Sequence, residues 1–272
     1  MTAVTLPRAG AAAERVTQLR VIVSEWTKFR SVRSTRWSLL VAKVLTIGFP
    51  ILASIVISTH WGSRSPSDRA GFNGLDPALI GSQIAQLAIG VLGVLAITAE
   101  YSTGMIRATF TAVPKRLPVL WAKATVFAIV TFALMLPSVL IAFFASQSIL
   151  SRHHANVAWS DPGVARAVIG AALYLTVIAI LTLGLGAIVR NTAGGIATFA
   201  AIFFVLPPLM DVLPSSWNNA ISPYLPGNAG RAIIATTRDA HSLSPWAGFA
   251  VFCGYAALAL AIAAGLLVRR DT

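Results

Sequence analysis

Residues able to do chemistry are few in this chain and far apart. The four histidines, His60, His153, His154 and His241, are the natural candidates for metal ligation or proton transfer. No H-E-x-x-H spacing joins any two of them, and the adjacent pair His153 and His154 diverges in most backbones, so a metal site competes with simple loop solvation. No G-x-x-x-x-G-K-[ST] phosphate loop is present, and the chain therefore carries no nucleotide-hydrolysing engine of that type. Cys253 is the single cysteine and lies inside an apolar run, which excludes an internal disulfide and a cysteine-based metal cluster. No nucleophile has an identifiable base. What remains is a small set of isolated polar groups: Gln83 and Gln86, Asp211, and the stretch "AEYSTGMIRATFTAVPKRLPVLWAK" at 99–123.

The elements that must position these groups follow from composition. Apolar residues make up 56% of the chain, charged residues only 11%, and the mean hydropathy is +0.76, values that belong to a membrane protein. A bilayer core needs ~20 apolar residues in a helix. Six stretches meet that length, at about 37–59, 79–99, 119–147, 167–189, 193–213 and 246–268. Pro137 is placed to kink the third, and Pro207 and Pro208 to loosen the fifth just before Asp211. The fourth and fifth are separated only by Arg190, Asn191 and Thr192, a tight hairpin flanked by Gly184, Gly186, Gly194 and Gly195, which allow close helix approach. The fold class expected is therefore all-α integral membrane, with a short tail at 1–14 and one six-span domain over 15–272. Seven bases precede the first run, which is unlike the short charged start of a cleaved signal peptide.

The formal charge is +12, from 21 Lys and Arg against 9 Asp and Glu. Position explains it. With the N-terminus inside, one side of the six spans receives Arg8, Arg15, Arg20, Lys28, Arg30, Arg33, Arg36, Lys43, Arg107, Lys115, Arg116, Lys123, Arg190, Arg269 and Arg270. The other side receives Arg64, Arg69, Arg152, Arg166, Arg231 and Arg238. Cytoplasmic segments carry the excess of bases, so both termini are expected in the cytoplasm, in the plasma membrane, and nucleic acid is not required as a partner. Before the first span, residues 15–37 place Leu19, Ile22, Val23, Trp26 and Phe29 at helical spacing. Arg15, Gln18, Glu25, Lys28 and Arg33 occupy much of the remaining surface. Such a helix lies along the membrane interface with bases toward anionic headgroups, either as an anchor alone or as a docking element for a partner.

Within the spans each polar group has two readings. Gln83 and Gln86, three apart, share a helix face and either line a substrate path or tie neighbouring helices together, the latter favoured for uncharged amides. Lys43 reaches back to the interface by its flexible stem. Asp211 belongs at headgroup level or faces a transport cavity.

Four stretches together, "SEWTKFRSVRSTRWSLL" at 24–40, the 99–123 stretch, "LGLGAIVRNTAGGIA" at 183–197 and "SPYLPGNAGRAI" at 222–233, resemble the membrane subunits of bacterial ABC-2 type exporters, ABC transporter permeases encoded apart from their ATPase. The resemblance implies a six-helix permease, two copies of which, identical or related, combine with two ATP-binding cassette subunits. ATP and Mg bind on those partners and no cofactor binds here. It further implies that the interfacial helix, with Glu25, Trp26 and Lys28, and the link between spans two and three receive the ATPase. Glu100 and Gly104 in "EYSTG" are similar to the E-x-x-x-G pattern that opens this coupling link, with Tyr101 between them. A Glu near a helix start is favoured by the helix dipole and a Gly lets two backbones approach. Arg107, Lys115 and Arg116 are then available to acidic ATPase residues or lipid phosphate, with Pro114 and Pro118 bracketing the turn. In the family the region 214–245 often forms short helices that dip back into the membrane; an ordinary folded cap fits the sequence equally.

The function this implies is transport without catalysis in this chain. The alternatives are a proton-coupled secondary transporter, which lacks membrane-centre carboxylates here, and an integral membrane enzyme or accessory protein, for which no convergent acidic or histidine set is visible.

Overall fold

A computed structural model describes residues 17–105, 116–237 and 241–269. It is all-helical, with no strand among the described residues. The principal helices are α1 (Gln18–Ser31), α2 (Arg33–Thr59), α3 (Leu75–Ser102), α4 (Arg116–Leu150), α5 (Val164–Val189), α6 (Thr192–Met210, a composite), α7 (Pro226–Arg231) and α8 (Pro245–Arg269). Six of them, α2 to α6 and α8, are long and apolar enough to cross a membrane. Most extend about a turn beyond the apolar runs, because a helix continues to satisfy its own backbone after its side chains become polar.

The core is built around α5. It packs on α3, α4 and α8, while α2 covers α3 and α4 from outside. Tyr174, Leu175 and Ile178 of α5 are fully enclosed, with Ile89 and Leu92 of α3, Phe127 and Met135 of α4, and Phe252 of α8 around them. α2 and α6 instead present large apolar side chains outward, among them Val44, Leu52, Val205 and Leu209. Such faces are stable only against lipid or another apolar surface. The expected close approach at the hairpin is present: a Cβ on Gly186 would lie 2.9 Å from Ile97 and 3.0 Å from the Val94 carbonyl of α3. The turn itself uses Arg190 in the left-handed region and Asn191 as N-cap, whose side chain accepts from the Gly194 N–H at 2.9 Å.

α6 is not a uniform helix. Residues Ala201–Val205 form a π-helical turn immediately before Pro207 and Pro208. Neither proline can donate to the carbonyls of Phe203 and Phe204 four residues back, so the ladder is re-registered there. Pro137 and Pro50 are absorbed within continuous helices.

The segment between α6 and α8 folds back into the bundle. A short helix Ser215–Ile221 lies on the outside, and α7 then inserts so that Pro226, Gly227, Ala229 and Gly230 are buried. A Cβ on Gly230 would stand 2.7 Å from both Tyr174 and Phe252. Tyr174 lies ten residues along α5, about 15 Å from its start at the helical rise, so α7 reaches well into the depth of the spans. Among the described residues of 214–245, short helices are present and α7 packs into the bundle.

Candidate functional site

The polar residues that matter most meet at the end of the bundle where α1 crosses it. α1 carries apolar side chains on two faces. Leu19, Val23 and Trp26, spaced along one stripe, point outward and are largely exposed, whereas Val21, Ile22 and Phe29 pack on the spans, Phe29 against Phe127 with ring centroids 5.6 Å apart. Glu25 sits in the middle of the inward face. The sequence reading placed Glu25 on the polar surface of this helix; it is 4% exposed, because the i, i+4 register with Val21 and Phe29 turns it toward the bundle.

Glu25 faces Lys123 in the first turns of α4, with Nζ to Oε2 at 2.6 Å. The same ammonium lies 2.8 Å from Oε1 of Glu100 at the end of α3. Lys28, one turn along α1, adds 2.8 Å to Glu25 and a longer 3.5 Å approach to Glu100. Two carboxylates and two ammonium groups thus join the second half of α1, the end of α3 and the start of α4. Gln18 strengthens the same junction by donating to the Pro118 carbonyl at 3.1 Å, Pro118 standing in the first turn of α4.

Each charge answers a cost. Burial by itself raises the Glu25 pKa, but the Lys123 ammonium beside it and the hydrogen bonds from Lys123 and Lys28 outweigh that, holding its carboxyl below the usual carboxylate range. Glu100 stands in the last turn of α3, not at a helix start, so the helix dipole opposes its charge and the two lysines supply the compensation. Its Oε2 is buried without a hydrogen-bond partner among the described residues. An apolar cavity of about 380 Å³ opens beside the cluster, between Phe29, Leu92, Leu95 and Phe127.

Gly104 ends α3 in the left-handed region, φ 70°, with its N–H on the Tyr101 carbonyl. Among the described residues nothing lies within 4 Å of a Cβ built there, so what the glycine serves here is the left-handed turn. Tyr101 packs on the hairpin: the Arg190 guanidinium stands 5.3 Å from its ring centroid, and Thr192 donates to Thr98 at 2.9 Å. The end of α3 is therefore fastened on one side to the α5–α6 hairpin and on the other to α1 and α4. Trp26 is exposed on the outward stripe, and Gly104 and Met105 are exposed beyond the helix end. Arg107 and Lys115 lie outside the described residues, as does the Arg116 side chain.

The remaining candidates separate. Gln86 is buried and its Oε1 accepts from the Tyr174 hydroxyl of α5, an interhelical tie, while Gln83 is exposed. Both line one cavity of about 400 Å³ with Ile80, Phe204 and Arg231. Asp211 is exposed just past the end of α6 and accepts from Asn218 at 3.3 Å. His153 bonds Ser58 at 3.0 Å and stacks on Trp61, so it braces the turn between α4 and α5 against α2.

Sequence reasoning singled out Glu25, Lys28 and Glu100 but read them as a surface for a partner. It left Lys123 as a residue of the entering turn. The signal was there: three charges, each at the edge of an apolar helix, with signs that can pair. Which would meet depended on the crossing of α1. Among the described residues no group of His, Cys, Asp and Glu side chains could hold a metal ion, and the geometry of the cluster is that of an electrostatic fastening. Compared with models of known protein families the chain matches none, and no curated protein is significantly similar to it.

Proposed function

We propose that this chain is the permease subunit of an ATP-driven ABC exporter, in the plasma membrane with both termini cytoplasmic, and that the Glu25–Glu100–Lys123–Lys28 cluster is part of its coupling apparatus. The observation that carries the reading is the fastening of α1 to both ends of the α3–α4 link by buried charge. An element touched by a partner at α1 or at the link then moves with two membrane spans as one body. The distribution of bases supports the orientation. Arg20, Lys28, Arg30, Arg33, Arg36, Arg190 and Arg269 gather at the end with the cluster, and Arg64, Arg69, Arg152, Arg166 and Arg231 at the other. The outward stripe of Leu19, Val23 and Trp26 suits a helix seated at the interface.

In this scheme ATP and Mg bind on separate ATPase subunits, two copies of this chain or one and a related chain form the path, and binding of ATP favours one of two conformations. Glu100 is enclosed and does not itself grip the ATPase; it transmits, while exposed groups such as Trp26, Arg30, Thr103 and Met105 supply contact. The test is to express the chain with the phosphate-loop protein encoded beside it, purify the assembly, and measure ATP turnover of native and Lys123→Met complexes in lipid nanodiscs. The expected result is a complex that still assembles but loses most permease-dependent ATP hydrolysis. Absence of any phosphate-loop partner from the native assembly, or full stimulation by Lys123→Met, refutes the assignment.

A further inference from the structure

We infer that the end of the bundle opposite the cluster holds a binding site for the acidic headgroup of an amphiphile, centred on Arg231 and Arg166, with the ligand's apolar part directed between α3 and α6. This site does not depend on the ATPase reading. Two cavities share Arg231 as a lining residue. One, of about 480 Å³, lies under the short helices that precede α8 and is lined by Arg166, Arg231, Asn219, Asn228, Thr237 and His241. The other is the cavity of about 400 Å³ beside Gln83 and Gln86, whose apolar walls are Ile80, Ile84, Phe203 and Phe204. Ile80 and Phe204 are partly exposed on the flank of the bundle, so the second cavity opens sideways between α3 and α6.

Arginine is suited to bind phosphate or carboxylate through paired N–H donors. Here both arginines are positioned by neutral acceptors. Arg166 donates to the carbonyls of Ile233 and Ala235 at 2.6 and 2.9 Å, and Arg231 to the Gly227 carbonyl and the Asn228 side chain at 3.2 and 2.9 Å. These bonds fix the guanidinium planes without cancelling the charge, and neither arginine has an ion pair among the described residues. Asp76, linked through Asn73 to Thr236, and Asp211, linked to Asn218, do not themselves line the cavity. Bonds to the carbonyls of α7 and of the residues just after it account for where the arginines sit. They do not account for two cations without an ion pair among the described residues on a cavity of mostly polar lining residues, beside a second with apolar walls that shares Arg231, a combination that complements a molecule acidic at one end and apolar at the other.

The test uses purified full-length protein in a neutral detergent, with native mass spectrometry and a fluorescent competition assay. The probes are dioleoyl phosphatidylglycerol, dioleoyl phosphatidylcholine and inorganic phosphate. Because Arg231 and Arg166 also hold the backbone, the informative variants are Asn219→Asp and Thr237→Asp, exposed positions that put a carboxylate into the cavity. The acidic lipid is expected to bind about tenfold more tightly than the zwitterionic one, and each variant to weaken it about tenfold, the effect of losing one charge-assisted contact. Arg231→Gln should do the same if it folds. Equal binding of the two lipids overturns the proposal. So does phosphate binding as tightly as the acidic lipid, or an affinity indifferent to both carboxylate variants.

Discussion

Replacing Lys123 by methionine keeps the length and much of the apolar stem of that side chain but removes the charge between Glu25 and Glu100. In the native protein the ammonium stands 2.6 and 2.8 Å from the two carboxylates, all three side chains being a tenth exposed or less. Without it, two buried carboxylates face each other with only Lys28 nearby, and Lys28 is itself 30% exposed. Removing one partner of a buried pair costs roughly 3–5 kcal/mol. Lys28 and protonation of one carboxylate recover part of this, so about 3 kcal/mol is expected. The loss should fall on α1, whose other attachments include the Gln18–Pro118 hydrogen bond and the modest contacts of Val21, Ile22 and Phe29, and not on the α3–α5 core. Amide hydrogen exchange in nanodiscs reads this directly: protection of residues 18–31 should fall about a hundredfold, with α5 unchanged. A second variant separates charge from packing. Glu25→Gln, Glu100→Gln and Lys123→Met combined remove the three buried charges, leaving only the 30% exposed Lys28, and should restore most of the protection. Exchange of α1 within about threefold of native in Lys123→Met alone would show that the cluster does not hold the helix.

The lowered Glu25 pKa sets a pH dependence of the same attachment. A folded pKa below the unfolded value, about 4.3, means the contribution is complete above that value and disappears as pH falls through the lowered one; α1 protection should stay flat from neutral pH to about pH 5 and drop only under strongly acid conditions, with a smaller acid response in Glu25→Gln. Gly104→Ala meets no neighbour among the described residues but must hold a φ of 70°, and should cost about 1 kcal/mol, seen as fraying of 100–104 by exchange, while Gly104→Asn should cost less because asparagine visits that region. Tyr174→Phe leaves the buried Gln86 carbonyl oxygen without its donor and should lower stability by about 1–3 kcal/mol in detergent melts; adding Gln86→Leu should recover part of it, and simple additivity of the two losses would count against the bond.

The span count, the hairpin at Arg190 and the weak point at Pro207 and Pro208 were legible because each depends on residues close in sequence. Apolar run length decides whether a helix can cross a bilayer, three intervening residues permit only a tight turn, and a proline cannot donate its missing N–H to the carbonyl four residues back. The role of Gly104 was only half legible: that it was needed could be read, but the left-handed helix end it forms could not.

What the sequence determined alone was therefore the class of protein, its number of spans and the places where charge was unusual. Tertiary structure decided which charges meet. Glu25, Glu100 and Lys123 are separated by 75 and 23 residues, as their numbers state, and no periodicity links them. Their pairing follows from the angle at which α1 crosses α3 and α4, a product of Val21 and Phe29 packing on the spans. The same holds for Arg166 and Arg231, brought to one cavity only because α7 folds back between α5 and α8. Local patterns report what a segment can be; the low-dielectric contacts that make a lone charge tolerable are made by segments distant in the chain.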